Sequence, residues 1–189
     1  MLNDNALLLS MCQINEVGLP KVVSVYRQRY EAMSRPEYKL SFKQFADDVL
    51  KDTFEGQDWK DLLLWEHRHL QYSREQLPVP RAEMPIDIIK QSKGRCGEFA
   101  LLYNGLLVTE GYRCRIIIDC SKIQEKSKTA AGDHVWNEVN TSGSWLHIDP
   151  TERRINQPLM YSKEWNKDIN LIYAIDEKTI IDVTSKYKS

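Results

Sequence analysis

The chain has 189 residues, of which 42% are hydrophobic, and its formal net charge is -1. These values are typical of one ordinary globular core, and they give no reason to expect a nucleic acid or an acidic membrane as a partner. No apolar run is long enough to cross a bilayer, and the start, MLNDNALLLSMC, lacks the basic residues and the apolar length of a signal peptide.

Residues 1–80 show the spacing of helices, with apolar residues recurring every three or four positions. Three prolines in LPVPRAEMP (77–85) break this pattern and predict an extended connection. We therefore expect a single domain with a helical N-terminal part at 1–80 and the chemically informative part at 81–189. The apolar stripes are Leu19, Val22, Val23, Tyr26 and Tyr30, then Phe42, Phe45, Ala46, Val49 and Leu50, then Leu62, Leu63, Trp65 and Leu70.

The second half of the chain alternates differently. A short helix at 86–91 and the loop SKGRCG precede a helix that starts at Cys96 and ends at Gly111. Strand-like runs follow at 112–119, 134–139 and 144–149, and NTSG joins the last two as a hairpin. We expect 120–133 to be a surface loop, and 170–175 and 179–183 to form another hairpin. Helices followed by antiparallel strands indicate the α+β class.

Cys96 is the first candidate for chemistry. It falls in the first turn of its helix, where unpaired N–H groups and the helix dipole favour a thiolate and can hold an oxyanion. Four cysteines are not a disulfide framework in a chain of this size, so we expect a reducing cytoplasm in which a free thiol persists. A cysteine near a helix start is also often only structural.

A histidine and a carboxylate lie on the predicted hairpin. In DHVWNEV, strand alternation places His134, Trp136 and Glu138 on one face, which we expect to line a cleft. In SWLHIDP, the hairpin allows Asp149 to approach the ring of His134. Cysteine, histidine and carboxylate on separate elements are the groups that a thiol amidase needs. Two alternatives stay open, a buried structural histidine and His147 as the base.

Three motifs in this order, GRCGEFA, DHVWNEV and WLHIDPTE, resemble the catalytic core of peptide:N-glycanases in the transglutaminase-like superfamily. The similarity continues through NQPLMYSKEWNKDINLIYAIDEKTIIDVTSKY (156–187), and it covers roughly residues 60–189. It implies a transglutaminase-like, papain-like core at 81–189, with a nucleophile helix on an antiparallel sheet. It also implies Cys96 as nucleophile, His134 as base and Asp149 as the residue that orients the base.

The resemblance further implies that Trp136, Glu138 and Glu152 lie near the substrate cleft. Those glycanases generally carry two Cys-x-x-Cys pairs for zinc ahead of the nucleophile, whereas Cys96 is the only cysteine between residues 77 and 97 of this chain. We therefore expect no metal and no cofactor. The loop 120–133 also looks longer than in the family, and Glu164 stands where glycine is expected. These departures concern substrate identity more than fold.

The function that these observations favour is hydrolysis of the glycosylated asparagine side-chain amide of glycoproteins or glycopeptides, through a thioester on Cys96. One alternative keeps the triad in a transglutaminase-like protease or in an acyltransferase that joins glutamine side chains to amines. A second alternative is a protein- or glycan-binding module with an idle triad. The expected partner is a glycoprotein or peptide substrate, and the sequence indicates no oligomeric state.

Overall fold

The computed structural model describes residues 21–75, 77–78, 80–121, 134–156 and 170–187. The helix expected before residue 21, the loop that follows Ser121 and the motif residues 157–169 lie outside these ranges. Seven helical stretches are described, including one π-helical turn that continues α2. They are α1 (Lys21–Ser34), α2 (Pro36–Gln44) with its π-helical turn (Phe45–Leu50), α3 (Trp59–His69), α4 (Pro85–Gln91), α5 (Cys96–Thr109) and α6 (Thr184–Tyr187).

Local sequence explains where these helices begin and end. Proline is the first residue of α2 and of α4, a position where its missing N–H costs nothing. Asp58 caps α3 by accepting from the N–H groups of Lys60 and Asp61 at 2.7 and 3.0 Å. After α5, Gly111 has a φ of 80°, and this left-handed residue ends the helix as predicted.

The strands form one large antiparallel sheet and one small pair. The large sheet has the order β6 (Arg154–Ile155), β5 (Ser144–Asp149), β4 (Val135–Thr141), β3 (Cys114–Ser121), β7 (Asn170–Ile175) and β8 (Ile180–Asp182). The strands β1 (Gln71–Tyr72) and β2 (Lys93–Gly94) pair in parallel. Both predicted hairpins are confirmed, and the observed elements are those of an α+β fold.

The helix α5 lies at the centre of the molecule. Every residue from Gly97 to Val108 is buried, so the helix has no solvent-facing side. It packs on the sheet through β3 and β4 and is surrounded by α1, α3 and α4. The N-terminal helices therefore complete the burial of the helix that begins with Cys96. The sheet residues facing it include Ile116, Ile118, Val135, Val139 and Ile148.

The opposite face of the sheet is covered as well. Trp136 packs there with Ile117, Ile172, Ala174 and Tyr187, the last residue of α6. Strand alternation predicts that Trp136 and Glu138 line a cleft, but both side chains are fully buried, and Trp136 packs against Tyr187 of the C-terminal segment. The hairpin turn between β4 and β5 uses Ser142 and Gly143, both with positive φ, as the NTSG signal predicts. Among the described residues, no helix is long and apolar enough to span a bilayer.

Candidate active site

The start of α5 is fixed by one buried carboxylate. Cys96, the first residue of the helix, is half-buried. Glu98 Oε2 accepts from the N–H of Arg95, which precedes the helix, at 2.9 Å. Arg81 donates to both oxygens of Glu98, from Nε at 2.7 Å and from Nη2 at 2.5 Å. Glu98 thereby holds the entry of the helix against the preceding loop and sets the position of the thiol.

The hairpin of β4 and β5 brings His134 to Asp149. Asn137 lies opposite Ile148, and the same register continued beyond the strand places residue 134 diagonally from Asp149 on one face. The His134 Nε2 to Asp149 Oδ2 distance is 2.8 Å. The ring of His134 is also hydrogen-bonded to Cys96. Since Asp149 engages Nε2, Nδ1 is the nitrogen left for the sulfur, and the three predicted residues form one chain of contacts.

The opposite charges of His134 and Asp149 determine their protonation states. Burial lowers the pKa of His134, but the hydrogen bonds and charges of Asp149 and Cys96 outweigh burial and raise this pKa to about 10. Burial raises the pKa of Asp149, whereas the hydrogen bond and charge of His134 bring it below its ordinary value. At neutral pH the pair is therefore an imidazolium and a carboxylate. Because a carboxylate only accepts, Nε2 carries a proton.

The turn after Asp149 holds its second oxygen. Oδ1 accepts from the N–H groups of Thr151 and Glu152, at 3.0 and 3.4 Å. His67 of α3 contacts the same turn, with Nε2 2.7 Å from the carbonyl oxygen of Pro150. This contact could not be predicted from local sequence patterns because it links positions 83 residues apart.

The predicted substrate-contact residues occupy different surroundings. The rings of Trp136 and His134 are stacked, with centroids 5.5 Å apart and planes at 24°. Trp136 and Glu138 are fully buried. Glu138 accepts from the hydroxyl of Tyr187 at 2.5 Å and forms an ion pair with Lys186. The substrate contacts of these residues stay predictions. The contact that the structure gives Trp136 at this site is the stacking of its ring on that of His134.

Glu152 is the third predicted contact residue. It lies at the surface beside the Asp149 turn, and its carboxylate pairs with Arg154 at 2.9 Å. It is close to the catalytic candidates in the chain, but no described bond joins its side chain to them. Its role toward substrate also stays a prediction.

Two further buried titratable groups interact with the charge of Asp149. His147 is 5% exposed, and burial lowers its pKa to about 4. Glu66 of α3 is fully buried, and burial together with the charge of Asp149 holds its pKa well above the ordinary value. The histidine that is hydrogen-bonded to Cys96 is His134. The spacing of Glu66 from Leu62 and Leu63, on the buried stripe of α3, is the sequence signal that could have revealed it.

No group of three or more metal-binding side chains occurs within the described ranges. Glu138 and Asp149 have protein partners for their charges, namely Lys186 and His134.

The sequence of this chain is similar to that of known proteins. Residues 43–150 match the family described as the transglutaminase-like superfamily. The peptide-N(4)-(N-acetyl-beta-glucosaminyl)asparagine amidase of Arabidopsis thaliana is 36% identical over 110 residues, which are 57% of this chain and 14% of that one. The protein of the same name from Saccharomyces cerevisiae is 32% identical over 110 residues, or 57% of this chain and 27% of that one.

The curated relatives are thus much longer than the region they share with this chain. Among solved structures, a Rad4-Rad23 complex crosslinked to undamaged DNA matches with a TM-score of 0.58 and 14% identity, covering 88% of this chain and 46% of that one. At this identity the match shows a common fold only. It agrees with the predicted helix-on-sheet core.

Proposed function

Because the chain belongs to the transglutaminase-like superfamily, we propose that Cys96, His134 and Asp149 are the catalytic triad of a peptide:N-glycanase-like thiol amidase. The observation that carries this proposal is the ring of His134, which bonds Asp149 at 2.8 Å and also the Cys96 thiol. A nucleophile, a base and an orienting carboxylate in this sequence of contacts are the requirements for acyl transfer through a thioester.

In the first half of the reaction, the Cys96 sulfur attacks the carbonyl carbon of the glycosylated asparagine amide. The carbon–sulfur bond forms as the carbonyl electron pair moves onto oxygen. The carbon–nitrogen bond then breaks, and the leaving nitrogen takes the proton of His134. A glycosylamine departs and a thioester stays on Cys96. The charge of Asp149 keeps His134 protonated and oriented until this transfer.

In the second half, the neutral His134 takes a proton from water, and the water oxygen attacks the thioester carbon. The carbon–sulfur bond breaks, the former asparagine becomes aspartate, and the thiolate and imidazolium are restored. The same thioester could pass to an amine, so access of water or amine decides between hydrolysis and transfer. The identity with the two amidases supports hydrolysis of an asparagine amide.

The test is incubation of the purified chain with a denatured glycoprotein that bears asparagine-linked glycans, in water enriched in heavy oxygen. We expect glycan release and asparagine converted to labelled aspartate, read by peptide mass spectrometry. Cys96→Ala should abolish both. Cys114→Ala is the matched control, because Cys114 is a buried thiol on β3 bonded to Tyr30 and is not part of the triad.

Other outcomes separate the alternatives. Cleavage of a peptide bond, or coupling of an added amine, would keep the triad and remove the glycanase substrate. If there is no reaction, and iodoacetamide labels Cys96 only at the pH of an ordinary thiol, the chain is a binding module with an idle triad.

A further inference from the structure

The N-terminal helix α1 brings a tyrosine to the first turn of α5. Tyr26 is 6% exposed, and α1 packs against α5. A Cβ added to Gly97 would lie 2.5 Å from the Tyr26 hydroxyl oxygen. This is far below any real Cβ contact, so the hydroxyl occupies the space that a side chain at position 97 would need. The oxygen of Tyr26 therefore lies against the residue that directly follows Cys96.

The surroundings keep the Tyr26 hydroxyl protonated. Burial is the main cause that raises the pKa of Tyr26 above its ordinary value, and the negative charge of Cys96 is the second. Arg29 and Arg81 act in the opposite direction but are weaker, and Arg81 already donates two hydrogen bonds to Glu98. Tyr26 is thus a neutral O–H donor at any working pH, and it feels the charge that develops at Cys96.

Acyl transfer needs such a donor at this place. When sulfur attacks a carbonyl carbon, the carbonyl oxygen takes a full negative charge beside the nucleophile. Backbone N–H groups in the first turn of a helix point toward such an oxygen, and in α5 the N–H of Cys96 is one of these groups. A side-chain O–H beside the peptide that joins Cys96 to Gly97 is placed to act as a further donor.

We propose that Tyr26 is a catalytic residue whose hydroxyl donates a hydrogen bond to the oxyanion formed on Cys96. The inference rests on the proposed function only in that Cys96 is acylated, and it holds for an ester, a peptide or a glycosylated amide. Tyr26 lies outside the matched residues 43–150. The helical N-terminal part therefore contributes to the chemistry as well as to the packing around α5.

The test uses Tyr26→Phe, which removes the hydroxyl and keeps the ring. Tyr30→Phe is the matched control, because Tyr30 lies one turn further along α1 and donates to the carbonyl oxygen of Cys114 at 3.0 Å. Two rates are measured on each protein at the same pH. One is acylation of Cys96 by p-nitrophenyl acetate, which forms an oxyanion, and the other is alkylation by iodoacetamide, which forms none.

We expect Tyr26→Phe to slow acylation by about 100-fold, the effect typical of losing one oxyanion donor, and to change alkylation by less than about 2-fold. Tyr30→Phe should leave both rates within about 2-fold of the parent protein, and thermal unfolding checks that each variant is folded. Equal slowing of both rates, or no slowing of acylation, would overturn the proposal. So would a parent protein that is alkylated at Cys96 but never acylated.

The proposed substrate and the proposed role of Tyr26 can be refuted independently of each other. If Tyr26→Phe slows acylation selectively while no glycan is released from a glycoprotein, the tyrosine keeps its role and the glycanase assignment is lost. If glycan is released at the same rate by Tyr26→Phe and by the parent protein, the oxyanion role is lost and the glycanase assignment stands.

Discussion

Replacing Asp149 by asparagine perturbs the hydrogen bond between Asp149 and His134 in the proposed triad. Both oxygens of Asp149 accept hydrogen bonds, Oδ2 from His134 at 2.8 Å and Oδ1 from the N–H of Thr151 at 3.0 Å. Asparagine has only one oxygen, so its amide N–H₂ must face one of these two donors. We expect Asp149→Asn to lose a buried hydrogen bond, and the imidazolium of His134 to lose its counter-charge.

The size of the effect follows from the pKa of His134. Its rise from 6.5 to about 10 corresponds to roughly 5 kcal/mol at about 1.4 kcal/mol per unit, shared between Asp149 and Cys96. The thiol exchanges the same proton with His134, so the Cys96→Ala background isolates the histidine–carboxylate pair. In that background we expect Asp149→Asn to lower the free energy of unfolding by about 2–4 kcal/mol near pH 6.

The directions of the two pKa shifts determine how the loss of stability caused by Asp149→Asn changes with pH. Since the pKa of His134 is raised, its contribution is complete below its unfolded value of about 6.5 and is lost as pH rises through the folded value. Since the pKa of Asp149 is lowered, its contribution is present above about 3.8 and is lost as pH falls. The difference between Cys96→Ala and the double variant should therefore be largest between about pH 4 and 6.5 and should shrink toward about pH 10.

Urea unfolding followed by tryptophan fluorescence at about pH 6, 8 and 10 measures this difference. Asp87→Asn is the control, because the Asp87 side chain is 62% exposed and its loss should cost less than about 0.5 kcal/mol. A difference that stays constant from about pH 6 to 10 would refute the ion pair, and one no larger than the control would refute the hydrogen-bond argument.

Three other predictions follow from buried groups. The pKa of His147 is lowered to about 4, so the protein should lose stability as pH falls from about 6.5 to 4, and His147→Gln should remove up to about 3 kcal/mol of that loss in urea titrations. Because the pKa of Glu66 is raised, its carboxyl lowers the free energy of unfolding as pH rises above its ordinary value. Glu66→Gln should abolish this pH dependence in urea titrations, and the same pH profile in parent and variant would contradict the prediction. Gly97→Ala should lower the free energy of unfolding by about 1–3 kcal/mol because its Cβ meets the Tyr26 hydroxyl. Adding Tyr26→Phe should restore most of this loss in thermal melts, and additive losses would argue against the contact.

Local patterns were sufficient for the elements that carry the triad. The helix that begins with Cys96 and the hairpin that presents His134 and Asp149 follow from three-to-four spacing, from alternation and from the NTSG turn. The strand predicted at 112–119 is observed at Cys114–Ser121, a shift of two residues. The resemblance to peptide:N-glycanases of the transglutaminase-like superfamily is confirmed by the family match over 43–150 and by the identity with the amidases. The part of the resemblance at 151–189 lies outside that family match and stays a prediction.

Such local patterns could not predict contacts between parts of the chain that are distant in sequence. Strand alternation separates Val135 and Val139, which belong to the main core, from Trp136 and Glu138, but it gives no information about what covers the face of Trp136. That cover is α6, whose Tyr187 lies 51 residues after Trp136 in the chain and packs against its ring. The approach of Tyr26 to Gly97 is similar, because the tyrosine reads simply as one member of an apolar stripe until α1 is packed on α5.

The three residues of the proposed triad are positioned by different interactions. Burial of α5 on all sides and the ion pair of Glu98 with Arg81 fix Cys96. Strand register fixes His134 against Asp149. Since the thiol and the imidazole belong to separately stabilised units, the distance between them depends on how α5 packs on the sheet. The helical N-terminal part completes the burial of α5 and therefore helps to set this distance. In the proposed mechanism it does so even though Cys96, His134 and Asp149 all lie after residue 80.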